Sequence, residues 1–67
     1  MNLYINSTLK VIPNDVDSVG KLIDFLHIAR QGTGVGLNNH LIPSRDWDNT
    51  RLKEEDRLLI ISATYGG

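Results

Sequence analysis

Four consecutive apolar residues, Leu58-Leu59-Ile60-Ile61, constrain the fold of this chain more than any other stretch. Neighbouring side chains of a strand point to opposite faces, so an unbroken apolar run has no polar side to turn to water and belongs in the middle of a sheet. The chain has 67 residues and no cysteine. A chain this short builds one core, and without disulfides or thiolate zinc sites that core must be held by packing alone.

The remaining elements are legible around that strand. Leu3 and Ile5 alternate with Asn2, Tyr4 and Asn6, and Asn6-Ser7 turns the chain into Leu9-Lys10-Val11-Ile12, which reads as a β-hairpin. Ser18 stands at an N-cap position ahead of Val19, Leu22, Ile23 and Leu26, so the spacing predicts a helix from about Val19 to Arg30, with Gly20 as its one internal defect. Gln31-Gly32-Thr33-Gly34 ends it, Val35 to Asn38 forms a short strand, and Asn39-His40 turns into Leu41-Ile42-Pro43. Glu54-Glu55-Asp56 makes a charged turn before the final strand. Strand, strand, helix, strand, strand with a central C-terminal strand is the order of the ubiquitin-like β-grasp. This α+β fold packs a mixed four- to five-stranded sheet on one helix, with the first and last strands parallel. The expected core is Leu3, Ile5, Val19, Leu22, Ile23, Leu26, Leu37, Leu59 and Ile61. A one-residue slip of the last strand would exchange Leu59 and Ile61 for Leu58 and Ile60.

Composition excludes several functions. Seven basic against eight acidic residues give a formal charge of −1, which provides no basic field for nucleic acid or an anionic membrane. The opening residues lack the order of a signal peptide, and no apolar run approaches the roughly 20 residues of a membrane span, so a cytoplasmic protein is the simplest reading. His27 and His40 fall short of the ligand number that zinc requires. Gly32, Gly34 and Gly36 follow a helix and enter a strand, the reverse of a phosphate-binding loop. The Glu54 to Asp56 cluster reads as a solvated turn and not as an acid/base pair. Trp47 reads as filling a satellite cluster with Ile42 and Leu52, with a partner contact as the alternative.

The sequence after the last strand, Thr64-Tyr65-Gly66-Gly67, carries the candidate chemistry. Glycines lack Cβ atoms, can thread a narrow channel, and add nothing to packing. Four residues at about 3.3–3.6 Å each would carry the Gly67 carboxylate into another protein's active site. A carboxylate is a poor electrophile, but adenylation by ATP would make it a mixed anhydride open to sulfur or nitrogen nucleophiles. The dipeptide alone reads equally as a frayed chain end. On the open face of the sheet, Tyr4, Leu58, Ile60 and Tyr65 are expected to form an apolar docking patch beside the tail.

Over most of its length the chain resembles the ubiquitin-like sulfur carriers, and within them the ThiS family of thiamine biosynthesis. The resemblance is carried by Ser18-Val19 with Leu22 and Leu26, by Val35-Gly36-Leu37-Asn38 leading to Ile42-Pro43-Ser44-Arg45 and Trp47, and by an acidic turn before an apolar strand ending in Gly66-Gly67. Glu55 stands where the family usually has glycine, and Tyr65 is bulkier than the residue often found before the glycines. The resemblance implies a single domain over residues 1–67 with a flexible tail at 64–67, and a carrier that is not itself an enzyme and binds no cofactor. An E1-like adenylyltransferase (ThiF-type) would activate Gly67 with ATP, a persulfide relay would convert it to a C-terminal thiocarboxylate (1-thioglycine), and a thiazole synthase (ThiG-type) would take the sulfur. Three alternatives are open: a sulfur carrier like the small subunit of molybdopterin synthase, a ubiquitin-like modifier attacked by a lysine amine, and an interaction domain whose tail is incidental.

Overall fold

The computed structural model describes residues 1–62; Ala63 to Gly67 lie outside the described residues. Five strands, β1 (Asn2–Ile5), β2 (Thr8–Val11), β3 (Gly34–Leu37), β4 (His40–Leu41) and β5 (Arg57–Ile61), form one mixed sheet in the order β2-β1-β5-β3-β4. A single helix, α1 (Val19–Phe25), and a 3₁₀ helix (Ser44–Asn49) complete the fold. β5 is central, parallel to β1 and antiparallel to β3. This is the β-grasp arrangement that the sequence predicts.

Both hairpins turn on two residues in the left-handed region. Ile5 pairs with Thr8 around Asn6 (φ 50°) and Ser7 (φ 69°), and Leu37 pairs with His40 around Asn38 (φ 49°) and Asn39 (φ 71°). Two successive positive φ values mark the type I′ turn, whose twist matches that of the flanking strands, and asparagine tolerates it better than most residues. The second turn therefore lies one residue earlier than the Asn39-His40 reading placed it.

α1 begins as its sequence dictates. The Ser18 Oγ accepts a hydrogen bond from the Lys21 amide at 3.1 Å, satisfying one of the free donors of the first turn. It ends five residues short of the predicted Arg30. His27 sits at φ 59°, its amide donates to the Asp24 carbonyl, and the Ile28 amide donates to the Ile23 carbonyl. Those two bonds are the Schellman closure, usually made with glycine in the left-handed position. A histidine holds that place here, and the reversal directs Ile28 into the core.

The core lies between the inner sheet face and α1, and Leu3, Ile5, Val19, Leu22 and Ile23 are buried in it as predicted. Leu26 and Leu37 pack against its margin. Ile12, Val16, Ile28 and Val35 belong to it as well. Trp47 is 1% exposed and joins this main core with Leu52, while Ile42 packs on its edge, so there is no separate satellite cluster. The indole Nε1 donates to the Ile42 carbonyl at 2.9 Å, which removes the cost of burying that N–H. Gly20, read from sequence as a defect, is the position over which the Asp48 carboxylate lies, and a Cβ there would displace it. That carboxylate and Asp24 both bind Arg30, joining α1 to the 3₁₀ helix.

The last strand takes the slipped register. Leu58 and Ile60 are 3% and 1% exposed and pair beside Leu37, Ile5 and Val35 on the inner face, whereas Leu59 and Ile61 are 56% and 60% exposed. The core assignment of Leu59 and Ile61 is therefore corrected, and with it the placing of Leu58 and Ile60 on the open face.

Candidate functional site

The register of β5 decides what the outer sheet face presents. Pairing places Leu9, Tyr4 and Arg57 in one row across β2, β1 and β5, and Leu59, Gly36 and Leu41 in another across β5, β3 and β4. Ile61 stands beside Gly34. Of the predicted patch, Tyr4 is on this face, half-buried under the Arg57 guanidinium at 4.4 Å from the ring centroid. Leu58 and Ile60 are not, because their side chains fill the core beneath it; Leu59 and Ile61 take their place. With exposed Leu41, these residues border an open groove of about 560 Å³. Thr64, Tyr65, Gly66 and Gly67 lie outside the described residues.

Three polar side chains that sequence reasoning passed over fix β5, the strand that leads in sequence to Gly66-Gly67. Asn6 extends the pairing of β1 with β5 beyond Ile5: its Nδ2 donates to the Ile60 carbonyl at 3.0 Å and its Oδ1 accepts from the Ile60 amide at 2.7 Å. The amide acts as one more residue of the ladder. At the other end, the Arg57 amide donates to Asn38 Oδ1 at 3.0 Å and the Asn38 Nδ2 donates to Asp56 Oδ1 at 2.9 Å. Asp56 Oδ2 accepts from the Lys53 amide at 2.8 Å, and the Lys53 ammonium lies 3.1 Å from Oδ1.

Asp56 is thus buried, contrary to the expectation that the whole acidic cluster is solvated. Burial pushes its carboxyl upward, but the Asn38 amide, the Lys53 amide and the Lys53 ammonium outweigh it and hold the carboxyl below the ordinary range. Its neighbours Glu54 and Glu55 are exposed. Glu55 closes the turn at φ 66°, a left-handed conformation natural to glycine. Sequence shows Asn38 in the β3–β4 turn and Asp56 just before β5, but no spacing rule links residues so far apart.

The arrangement is a platform in which side-chain hydrogen bonds hold β5 at both ends. Among the described residues no group of three or more His, Asp or Glu side chains is placed to hold a metal ion. None of the described helices is long and apolar enough to cross a membrane.

Comparison with known proteins bears on what such a platform serves. The model of the ThiS family matches residues 3–67. The chain is similar to the crystal structure of the thiamine biosynthesis protein ThiS from Geobacter metallireducens, with a TM-score of 0.82, 25% identity and full coverage of both chains. It is also similar to the NMR solution structure of a thiamine biosynthesis protein from the same organism, with a TM-score of 0.80 and 25% identity over all of this chain and 88% of the other. No curated protein matches the chain by sequence.

Proposed function

The chain belongs to the ThiS family, and from that premise we propose that it carries sulfur for thiamine biosynthesis on a C-terminal thiocarboxylate at Gly67. The observation that carries this reading is that the family match runs through the Tyr65-Gly66-Gly67 end as well as the β-grasp body. The described structure supports it with a division of labour. β5 is clamped at Arg57 by Asn38 and at Ile60 by Asn6, so the strand feeding the tail has a fixed register and direction.

The chemistry then belongs to partners. A free α-carboxyl, with a pKa of about 3.3–3.7, is ionised at neutral pH and does not react with sulfur nucleophiles. A ThiF-type adenylyltransferase joins the Gly67 carboxylate to the adenylyl group of ATP with release of pyrophosphate. The outer sulfur of a partner's persulfide then displaces AMP to give an acyl disulfide, a second partner thiol cleaves its S–S bond to release the thiocarboxylate and leave a disulfide on the partner, and a ThiG-type thiazole synthase consumes the thiocarboxylate. The carrier turns nothing over and binds no cofactor of its own. It works in the cytoplasm as one domain over residues 1–67, with residues 64–67 as the reaching tail. Its docking face is the outer sheet around Tyr4, Leu59 and Ile61.

Deleting Gly67 tests this. The shortened chain keeps the thermal midpoint of the full chain but no longer supports growth of a carrier-deficient strain without thiamine or thiazole. Growth rescue by the shortened chain contradicts the proposal.

A further inference from the structure

The outer face of β3 carries two glycines for which the molecule itself has no use. Glycine inside a strand is destabilising, and it persists there for a turn conformation, for tight internal packing, or for close approach by another molecule. Conformation does not require it: Gly32 is the described glycine with a positive φ, and Gly34 and Gly36 are not among them. Nor does packing. A Cβ on Gly34 would meet no atom within 4 Å, and one on Gly36 would lie 3.8 Å from the His40 carbonyl oxygen and 3.9 Å from the Leu59 Cβ, ordinary contact distances. Gly20 shows the opposite case, where a Cβ would displace the Asp48 carboxylate. The missing side chains leave a trough along β3, walled by Leu41 on one side and by Leu59 and Ile61 on the other.

Charge says what the trough accepts. The chain has more carboxylates than basic residues, yet none of its aspartates or glutamates lines the groove, and Arg57 is its one Lys or Arg. Among the described residues no carboxylate pairs with Arg57, whose guanidinium lies over the Tyr4 ring. Such stacking holds the cation in place while leaving its donors to an incoming acid. β5 supplies Leu59 and Ile61 to the wall and leads within six residues to Gly67, so an occupant of the trough sits next to the strand that feeds the reacting end.

We propose that the Gly34–Gly36 strip seats an apolar side chain of the adenylyltransferase, and that an Asp or Glu of the same enzyme segment pairs with Arg57. This assignment of partner chemistry rests on the carrier reading given above. Glycine is thereby the specificity-determining residue type at both positions, because any larger side chain occupies the seat.

The test uses the full chain as varied substrate in ATP–pyrophosphate exchange catalysed by the ThiF-type enzyme of the same genome, with thermal melting in parallel. Gly34→Val keeps or raises the thermal midpoint, since the new side chain enters open space of a strand, while the KM for the carrier rises at least about tenfold with kcat little changed. Arg57→Glu raises KM to a similar degree, and Arg57→Lys recovers most of the loss. Wild-type KM in both Gly34→Val and Arg57→Glu overturns the proposal. If Gly34→Val does not melt cooperatively, the KM of Arg57→Glu decides alone. Sedimentation of the wild type as a dimer and of Gly34→Val as a monomer also overturns it, by placing a second copy of the chain in the trough. Absence of exchange with the wild-type chain itself contradicts the carrier reading instead.

Discussion

Truncating two adjacent leucines of β5 has opposite consequences. Leu58 is 3% exposed and pairs beside Ile5 and Leu37 on the inner face, so Leu58→Ala removes a buried side chain and leaves a cavity, at a cost of about 2–5 kcal/mol. Leu59 is 56% exposed. It already spends most of its surface in water, and Leu59→Ala costs under about 1 kcal/mol, chiefly in strand preference. A domain of this length has a total stability of roughly 3–10 kcal/mol. A loss of about 3 kcal/mol then lowers Tm by roughly 12–24 °C. Urea unfolding followed by the fluorescence of Trp47, the single and fully buried tryptophan, reads both variants. The reasoning predicts a much lower midpoint for Leu58→Ala at unchanged slope, and a Leu59→Ala curve near wild type. Equal losses, or a larger loss at Leu59, would refute the register and with it the identity of the docking face.

Asp56→Ala leaves the Asn38 side-chain amide and the Lys53 backbone amide without their acceptor and costs about 1–3 kcal/mol in urea unfolding. The Asp56 carboxyl is held below its unfolded value, so its stabilisation is complete above about pH 4 and is lost as pH falls through the folded pKa. Asp17, ion-paired with Lys21 and Arg51, and Asp24, hydrogen-bonded to Arg30, are lowered as well, so Asp56→Asn flattens the acid limb of the stability profile only in part, and an unchanged limb contradicts the network. Glu55→Gly relieves the left-handed turn residue and raises stability by up to about 1 kcal/mol, a gain checked by thermal melting. Asn6→Ala frees the amide and carbonyl of Ile60 and costs about 1–3 kcal/mol; amide hydrogen exchange then rises first at Ile60.

The hairpin at Asn6-Ser7, the Ser18 cap and the central position of β5 were legible because each is written in local spacing or in a residue type with one structural use. The phase of β5 was not, because Leu58 to Ile61 are all apolar and alternation carries no signal there. It is set instead by Tyr4 opposite Arg57 and by the Asn6 clamp on Ile60, contacts spanning some fifty residues of chain. The end of α1 misled for a related reason: apolar Ile28 fits a helical period, but His27 has turned the chain before it is reached. Asp56 looked like one of three solvated acids until Asn38 was brought beside it. Of the expected docking residues, Tyr4 lies on the outer sheet face and Leu58 and Ile60 on the inner one, while the Thr64 to Gly67 tail stands on sequence and family membership.

The mass of the intact chain tests the central claim most directly. After incubation with ATP, sulfide and the ThiF-type adenylyltransferase of the same genome, a sulfur carrier gains the difference between one sulfur and one oxygen, and fragmentation places that gain on Gly67. An unchanged mass, or a gain that persists in a chain lacking Gly67, contradicts the account.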